Sequence, residues 1–278
     1  MRKIKLAYSD LYNAGDLMNV DIVEKLSGAK VKRSKTFCAE MMAIGGAIYG
    51  LQYSDRLVQN IVLHLLHPLY DSKPIYIWGS GFWHDRNTHK LYRSNLKVCA
   101  LRGALSQKKL FELTGHFYDV PLADGGLLID ELIPRNIEKE YSLGVIPHLS
   151  QQNEVEVMRL KATKGVHIID IKKKPEEVGK EIAKCETVLS SSLHGLIFAD
   201  ALGIPNMHVR LKKELPEGNF KFEDYYSSYG LNDPGIYLDE HIPSYDEIKD
   251  NYHIPQEMVK EKKATLIETF PDEFKQSC

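Results

Sequence analysis

Apolar residues along the chain come in short unbroken runs, separated by stretches in which they recur every three to four positions. "IKLAY" (4–8), "MMAIGG" (41–46), "PIYIWGSG" (74–81) and "KVCALRG" (97–103) read as buried strands, while helical spacing predicts helices over 17–26, 55–66 and 104–113. A polar interval with a proline, "DELIPRNIEKEYS", precedes a second alternating set: "LGVIPH", "VHIIDI", "TVLSSS" and "PNMHV". Alternation of strand and helix predicts an α/β protein with parallel sheets, and the restart predicts a domain junction near residues 131–140. The expected division is an N-terminal domain over 1–136 and a second over 137–255, with a polar helical tail (256–278) packed back on the first. In such sheets ligands sit beyond the carboxyl ends of the strands, so the turns there are where chemistry is sought.

Composition narrows the field. A chain of 278 residues, 43% hydrophobic, can bury two ordinary cores. A formal charge of -2 offers no bulk attraction to nucleic acid or an anionic membrane, so any anion site must be local. The cysteines at 38, 99, 185 and 278 form no C-x-x-C pair; neither a zinc site nor a disulfide framework is indicated, and a reduced cytoplasmic setting is expected. The opening "MRKIKLAYSD" lacks the long apolar core of a secretory signal, which predicts a protein that is not exported. The most apolar helix, "NIVLHLLHPLY", falls short of the ~20 residues needed to span a bilayer.

The sharpest local signal is "CETVLSSSLHGLIFADALGIP" (185–205), where an apolar strand passes through three serines into an apolar helix. Ser190, Ser191, Ser192, Leu193 and Gly195 form the turn and first helical turn. Unpaired N–H groups, the positive end of the helix dipole and the hydroxyls together suit an anion. His194 should face the same pocket. A nearby dipole lowers its pKa and a bound phosphate raises it, which leaves two readings: a satisfied structural histidine, or a ring that titrates near neutrality and moves protons. Other turns are individually weaker. "YNAGD" supplies Asn13 and Asp16, "IWGSGF" supplies Ser80 and "LADGGLL" supplies Asp124, each of which serves equally as a turn or helix cap. Arg102 ends a strand, where a guanidinium is either solvated or makes bidentate contact with phosphate or carboxylate. His148 closes the first strand of the second set, and Lys221 sits between aromatics in "NFKFEDYY".

Taken jointly, "NAGD", "GSG", "LRGALS", "DGGLL", "GVIPH", "SSSLHGLIFADALGIP" and "FKFEDYYSSYG", in that order over residues 13–230, resemble the polysaccharide pyruvyl transferase family. The resemblance implies two Rossmann-like domains facing a cleft, similar to GT-B glycosyltransferases. It also implies transfer of a pyruvate ketal from phosphoenolpyruvate to two hydroxyls of a sugar, in exopolysaccharide or capsule biosynthesis. Arg102 and His194 match the family's donor-site arginine and S-x-L-H-G histidine. Ser192 stands where many relatives carry arginine, and Ala123-Asp124-Gly125 where many read G-D-P, so phosphate affinity would rest more on Arg102, Lys221 and the helix start. The expected catalytic set is His194, Arg102 and Asp16, with Asp16 as acceptor base. Donor binding is assigned to Ser190, Ser191, Ser192, Leu193, Gly195 and Lys221, and acceptor binding to Asn13, Ser80, Asp124 and His148. No metal or cofactor is expected beyond phosphoenolpyruvate as co-substrate. Expected partners are a sugar acceptor, lipid-linked or soluble, and transient contact with the inner face of the cytoplasmic membrane, with no nucleic acid. The competing readings are a GT-B-type glycosyltransferase using a nucleotide-sugar and a non-catalytic subunit of a polysaccharide assembly complex.

Overall fold

In the computed structural model, which describes residues 3–9, 13–53, 56–85, 90–238 and 241–276, β1 (Lys3–Leu6) alternates exposed lysines with buried Ile4 and Leu6. Cys278 lies outside the described residues. β1 pairs in parallel with β2 (Lys30–Arg33) on one side and β3 (Met41–Met42) on the other; β4 (Ile75–Ile77) and β5 (Leu96–Val98) extend the sheet in the order β2-β1-β3-β4-β5. The second sheet contains β6 (Tyr141–Ile146), β7 (Val166–Ile168), β8 (Cys185–Ser190), β9 (Asn206–Arg210) and β10 (Ile236–Tyr237), all parallel, in the order β10-β9-β8-β6-β7. Both sheets therefore repeat one topology. The chain steps outward from its first strand to the second, then crosses back to the third, so strand order reverses between β1 and β3 and again between β6 and β8. Such reversals open a crevice at the carboxyl ends of the strands. The fold is mixed α/β with two five-stranded parallel sheets, as the strand pattern led us to expect, and each sheet has the Rossmann-like order that the family resemblance implies. β2 was not anticipated: "KVKR" is an edge strand, exposed on three of its four residues, and so carries no apolar run.

Helices α1 (Ala14–Ser27), α2 (Leu57–Tyr70) and α3 (Ala104–Thr114) serve the first sheet; α4 (Val155–Lys161), α5 (Pro175–Ala183), α6 (Leu193–Ala201), α7 (Phe220–Ser227) and α8 (Tyr245–Asp250) follow, and α9 (Gln256–Glu268) ends the helical set. α1 starts earlier than the apolar spacing predicts because the Asn13 side chain accepts from the Gly15 N–H at 2.9 Å, capping the helix. α9 returns to the first sheet. Trp78 Nε1 donates to the Leu266 carbonyl at 2.9 Å, and the Trp78 and Phe270 rings meet edge-on at 5.2 Å. Residues 133–140 carry no regular element and join the two sheets. The halves also share one apolar core: Leu127, Leu128 and Ile129 of the 3-10 segment Gly125–Leu132 are buried among residues of α1, α5 and α6. Burial of that shared apolar surface, at about 25 cal/mol per Å², favours the halves staying in register. Among the described residues no helix is long and apolar enough to cross a membrane.

Candidate active site

The two crevices face each other and merge into one cavity of about 270 Å³. From the first half it takes Asn13 and Asp16 at the start of α1, Ile44 to Ala47 after β3, Tyr49, Trp83, and Arg102 after β5; from the second it takes His148 after β6, Ser192 to His194 at the start of α6, and Glu217 and Lys221. Asn13, Asp16, Arg102, His148, Ser192, Leu193, His194 and Lys221, all expected from the sequence, are thus brought together. Tyr49, Trp83 and Glu217 were missed. Only for Glu217 did a signal exist, its spacing of four from Lys221.

The His194 imidazole bridges the halves. It rises from α6 into a space left by three glycines of the first half. A Cβ added to Gly15 would lie 1.9 Å from His194 Nδ1, one on Gly126 would lie 3.4 Å from its Cδ2, and one on Gly45 would lie 3.7 Å from its Cε1. Burial, together with the cations Arg102 and Lys221, drives the His194 pKa down to about 3. Of the two readings left open by the sequence, titration near neutrality does not hold without a bound anion: the ring is then neutral, because desolvation outweighs the other effects. Its Nε2 is buried without a partner among the described residues.

Asp16 shows the reverse effect. Its carboxyl accepts no hydrogen bond among the described residues, and burial raises its pKa to about 7 against the opposing charge of Lys221. Its ionisation is thereby brought to the neutral range, the poise expected of a proton-transfer group. Lys221 donates to Glu217 Oε1 and is pushed down by burial, with Glu217 holding it up. Glu217 lies 3.4 Å from His148 Nε2. His148 is lowered to about 4 by burial and by Lys221.

Arg102 has a second duty. Its Nε donates to Asp224 Oδ2 at 2.7 Å, and Asp224 also accepts from the Ser106 N–H at 2.7 Å and hydroxyl at 2.6 Å. One carboxylate on α7 thus caps α3 and neutralises much of Arg102, welding the halves. Gly103 allows that approach, since a Cβ there would fall 1.7 Å from the Asp224 carbonyl oxygen. Arg102 is accordingly not the free cation pictured from sequence, although among the described residues Nη1 carries no hydrogen bond and the residue lines the cavity.

Five expected residues do not line the cavity: Ser190, Ser191, Gly195, Ser80 and Asp124. Ser190 is buried, donating to the carbonyls of Ile146 and Ser192 and accepting from the Ser192 N–H, so its hydroxyl is spent shaping the turn. The Ser191 hydroxyl accepts from the His148 N–H at 2.9 Å and borders a smaller neighbouring cavity. Ser80 donates to the Gly45 carbonyl at 2.9 Å, and Asp124 accepts from the Gly126 N–H at 2.8 Å. Both position glycine loops around His194. Burial raises Asp124 to about 6, and its Oδ2 is unpartnered. Gly195 packs against Ser190 and Ile146, where a Cβ would lie 2.4 Å from the serine oxygen. The N–H groups of Leu193 and His194 at the start of α6 bond to no described group, which leaves them for an anion.

Residues 42–212 match the polysaccharide pyruvyl transferase family model. An uncharacterized protein of Acanthamoeba polyphaga mimivirus is 36% identical over 226 residues, spanning 79% of this chain and 71% of its own. Among solved structures, the spinosyn rhamnosyltransferase SpnG aligns over 95% of this chain and 91% of its own at 11% identity, with a TM-score of 0.35. On the family match over more than half its length, the chain belongs to the polysaccharide pyruvyl transferase family.

Proposed function

We propose that the cavity transfers a pyruvate ketal from phosphoenolpyruvate to two hydroxyls of a sugar. The observation carrying this reading is the meeting of Lys221, Arg102 and the unpaired N–H groups of α6 with one carboxyl, Asp16, poised at about pH 7. Phosphate and carboxylate of the donor lie against the cations and amides, which stabilise the charge that develops as phosphate leaves. In the first step a sugar hydroxyl adds to C2 while the Asp16 carboxyl protonates C3; the hydroxyl proton passes to neutral His194, whose basicity the anionic donor restores. In the second step the other hydroxyl displaces phosphate from C2 and gives its proton to the Asp16 carboxylate, while His194 returns its proton to phosphate. Atoms balance, and Asp16 and His194 end as they began. Each well-placed acid or base contributes about 10²- to 10⁴-fold.

The test is incubation with phosphoenolpyruvate and a panel of sugars. Sugar-dependent release of inorganic phosphate, with product mass raised by pyruvate less water, is expected. Release of a nucleoside diphosphate from a nucleotide-sugar would overturn the reading in favour of glycosyl transfer.

A lipid-linked acceptor, met at the cytoplasmic face of a membrane, is favoured by α2. It contains no Asp, Glu, Lys or Arg and exposes Leu57, Val58, Ile61, Val62, Leu65 and Leu69. Lys90 borders this face, and Lys35 lies over Phe37, which packs on Tyr70. An apolar face with a basic rim matches an anionic bilayer surface. Co-sedimentation with phosphatidylglycerol vesicles, lost in Leu65→Glu, is expected; a stable dimer in solution with no vesicle binding would refute it.

A further inference from the structure

The cavity is lined by two kinds of group, ionisable and aromatic. Arg102, Lys221, Glu217 and His194 line it, and so do the aromatic rings of Trp83 and Tyr49. The chain has two tryptophans. Trp78 is fully buried under α9, whereas Trp83 is 43% exposed although it lies in a cleft. Its position is built. The Tyr49 ring meets Trp83 at 6.3 Å and 66°, the His84 ring lies 5.7 Å from it at 36°, and Tyr49 and His84 are 4.6 Å apart. Gly46 lets the β3 loop close on this cluster: a Cβ there would lie 2.9 Å from both Cα and Cβ of Trp83. A large indole held firmly yet left in solvent forgoes burial worth about 25 cal/mol per Å², which a ligand covering it recovers.

A ring with an electron-rich face favours partly positive hydrogens above it. Hexopyranoses present such a face, a patch of C–H groups flanked by hydroxyls. We propose that Trp83, braced by Tyr49 and His84, is the platform on which the acceptor's hexopyranose ring stacks, with its hydroxyls directed toward Asp16. The inference rests on the ketal-transfer reading for the role of that sugar, but not for its binding. It names a residue outside the recognised motifs and places the acceptor on the first half.

Tryptophan quenching by acrylamide tests it without any turnover, since Trp78 is shielded and Trp83 supplies the quenchable signal. Methyl β-D-galactopyranoside, methyl β-D-glucopyranoside and methyl α-D-mannopyranoside serve as probes. At least one is expected to lower the quenching slope about twofold or more, whereas phosphoenolpyruvate alone is not. Protection by none of the three, or by uridine diphosphate alone, overturns the proposal. In turnover assays Trp83→Ala is expected to raise acceptor KM about tenfold or more with little change in donor KM, and Trp83→Phe to restore most of it. An unchanged acceptor KM in Trp83→Ala overturns the platform while leaving ketal transfer standing. Sugar protection in an enzyme that releases no phosphate keeps the platform and refutes the transfer.

Discussion

Replacing Asp16 with asparagine should make the protein more stable and less active, with a stability gain that depends on pH. The carboxyl is displaced from 3.8 to about 7, chiefly by burial. Each pH unit of displacement is worth about 1.4 kcal/mol, so an ionised Asp16 costs the fold about 4 kcal/mol at pH 7 and above. The sign follows from proton binding. Because the folded pKa lies above the unfolded one, the folded state holds the proton more tightly, and wild-type stability is lost as pH rises from 3.8 to about 7. Asparagine never ionises and escapes this loss. The advantage of Asp16→Asn should be under about 1 kcal/mol at pH 4, about 2 at pH 5 and about 4 at pH 7, and flat beyond. For a protein of this size that corresponds to a melting shift on the order of 10 °C at pH 8. Urea unfolding at pH 4, 5, 7 and 8 measures the gap directly. Loss of the proton-transfer group should lower kcat by about 10²- to 10⁴-fold. An equal gap at pH 5 and pH 8, or a variant no more stable than wild type at pH 8, would refute the claim that this carboxyl is held protonated by burial.

Gly15→Ala sits in the first turn of a helix, where alanine ordinarily stabilises by roughly 0.5–1 kcal/mol. Here the added Cβ meets the His194 ring at 1.9 Å, so the substitution should destabilise by about 1–3 kcal/mol and depress turnover, measured by thermal unfolding and phosphate release. A stabilised, fully active variant would remove His194 from the glycine cradle. Asp224→Ala leaves the buried Arg102 uncompensated and uncaps α3, which should cost about 3–5 kcal/mol. A Leu partner at both positions should recover part of that stability but none of the activity. A loss below about 1 kcal/mol in the single variant would show that the weld is not there.

Much of the fold was legible because it is written in local patterns. Short apolar runs between helical periodicities announced eight of the strands and the helices α1, α2 and α3 at nearly their observed places, and Asn13 and Ser192 mark true helix starts. Two of the four edge strands were not legible: β2 and β10 are short and solvated, and an exposed strand has no apolar signature, whereas the edge strands β5 and β7 lie in apolar runs. In the site, residues adjacent to strand ends were found, since topology sends those turns to the crevice. Trp83 and Tyr49 were not, as an aromatic in a cleft wall reads like any core aromatic until its exposure is known. The serine cluster shows the opposite error. Its three hydroxyls read alike in sequence, yet one is spent within the turn, one holds the His148 N–H and only Ser192 lines the cavity.

By itself the sequence determined the two α/β halves, the turns that carry polar groups and the family to which they belong, because strand length, helix capping and glycine placement act over a few neighbouring residues. Only the tertiary structure decided which of those groups share one cavity, which are consumed in holding it, and in what protonation state they stand. Burial, and with it the cost of a charge, is a property of everything packed around a residue from distant parts of the chain. That is why Asp16 is shifted upward, His194 is kept neutral and Arg102 is tied to Asp224.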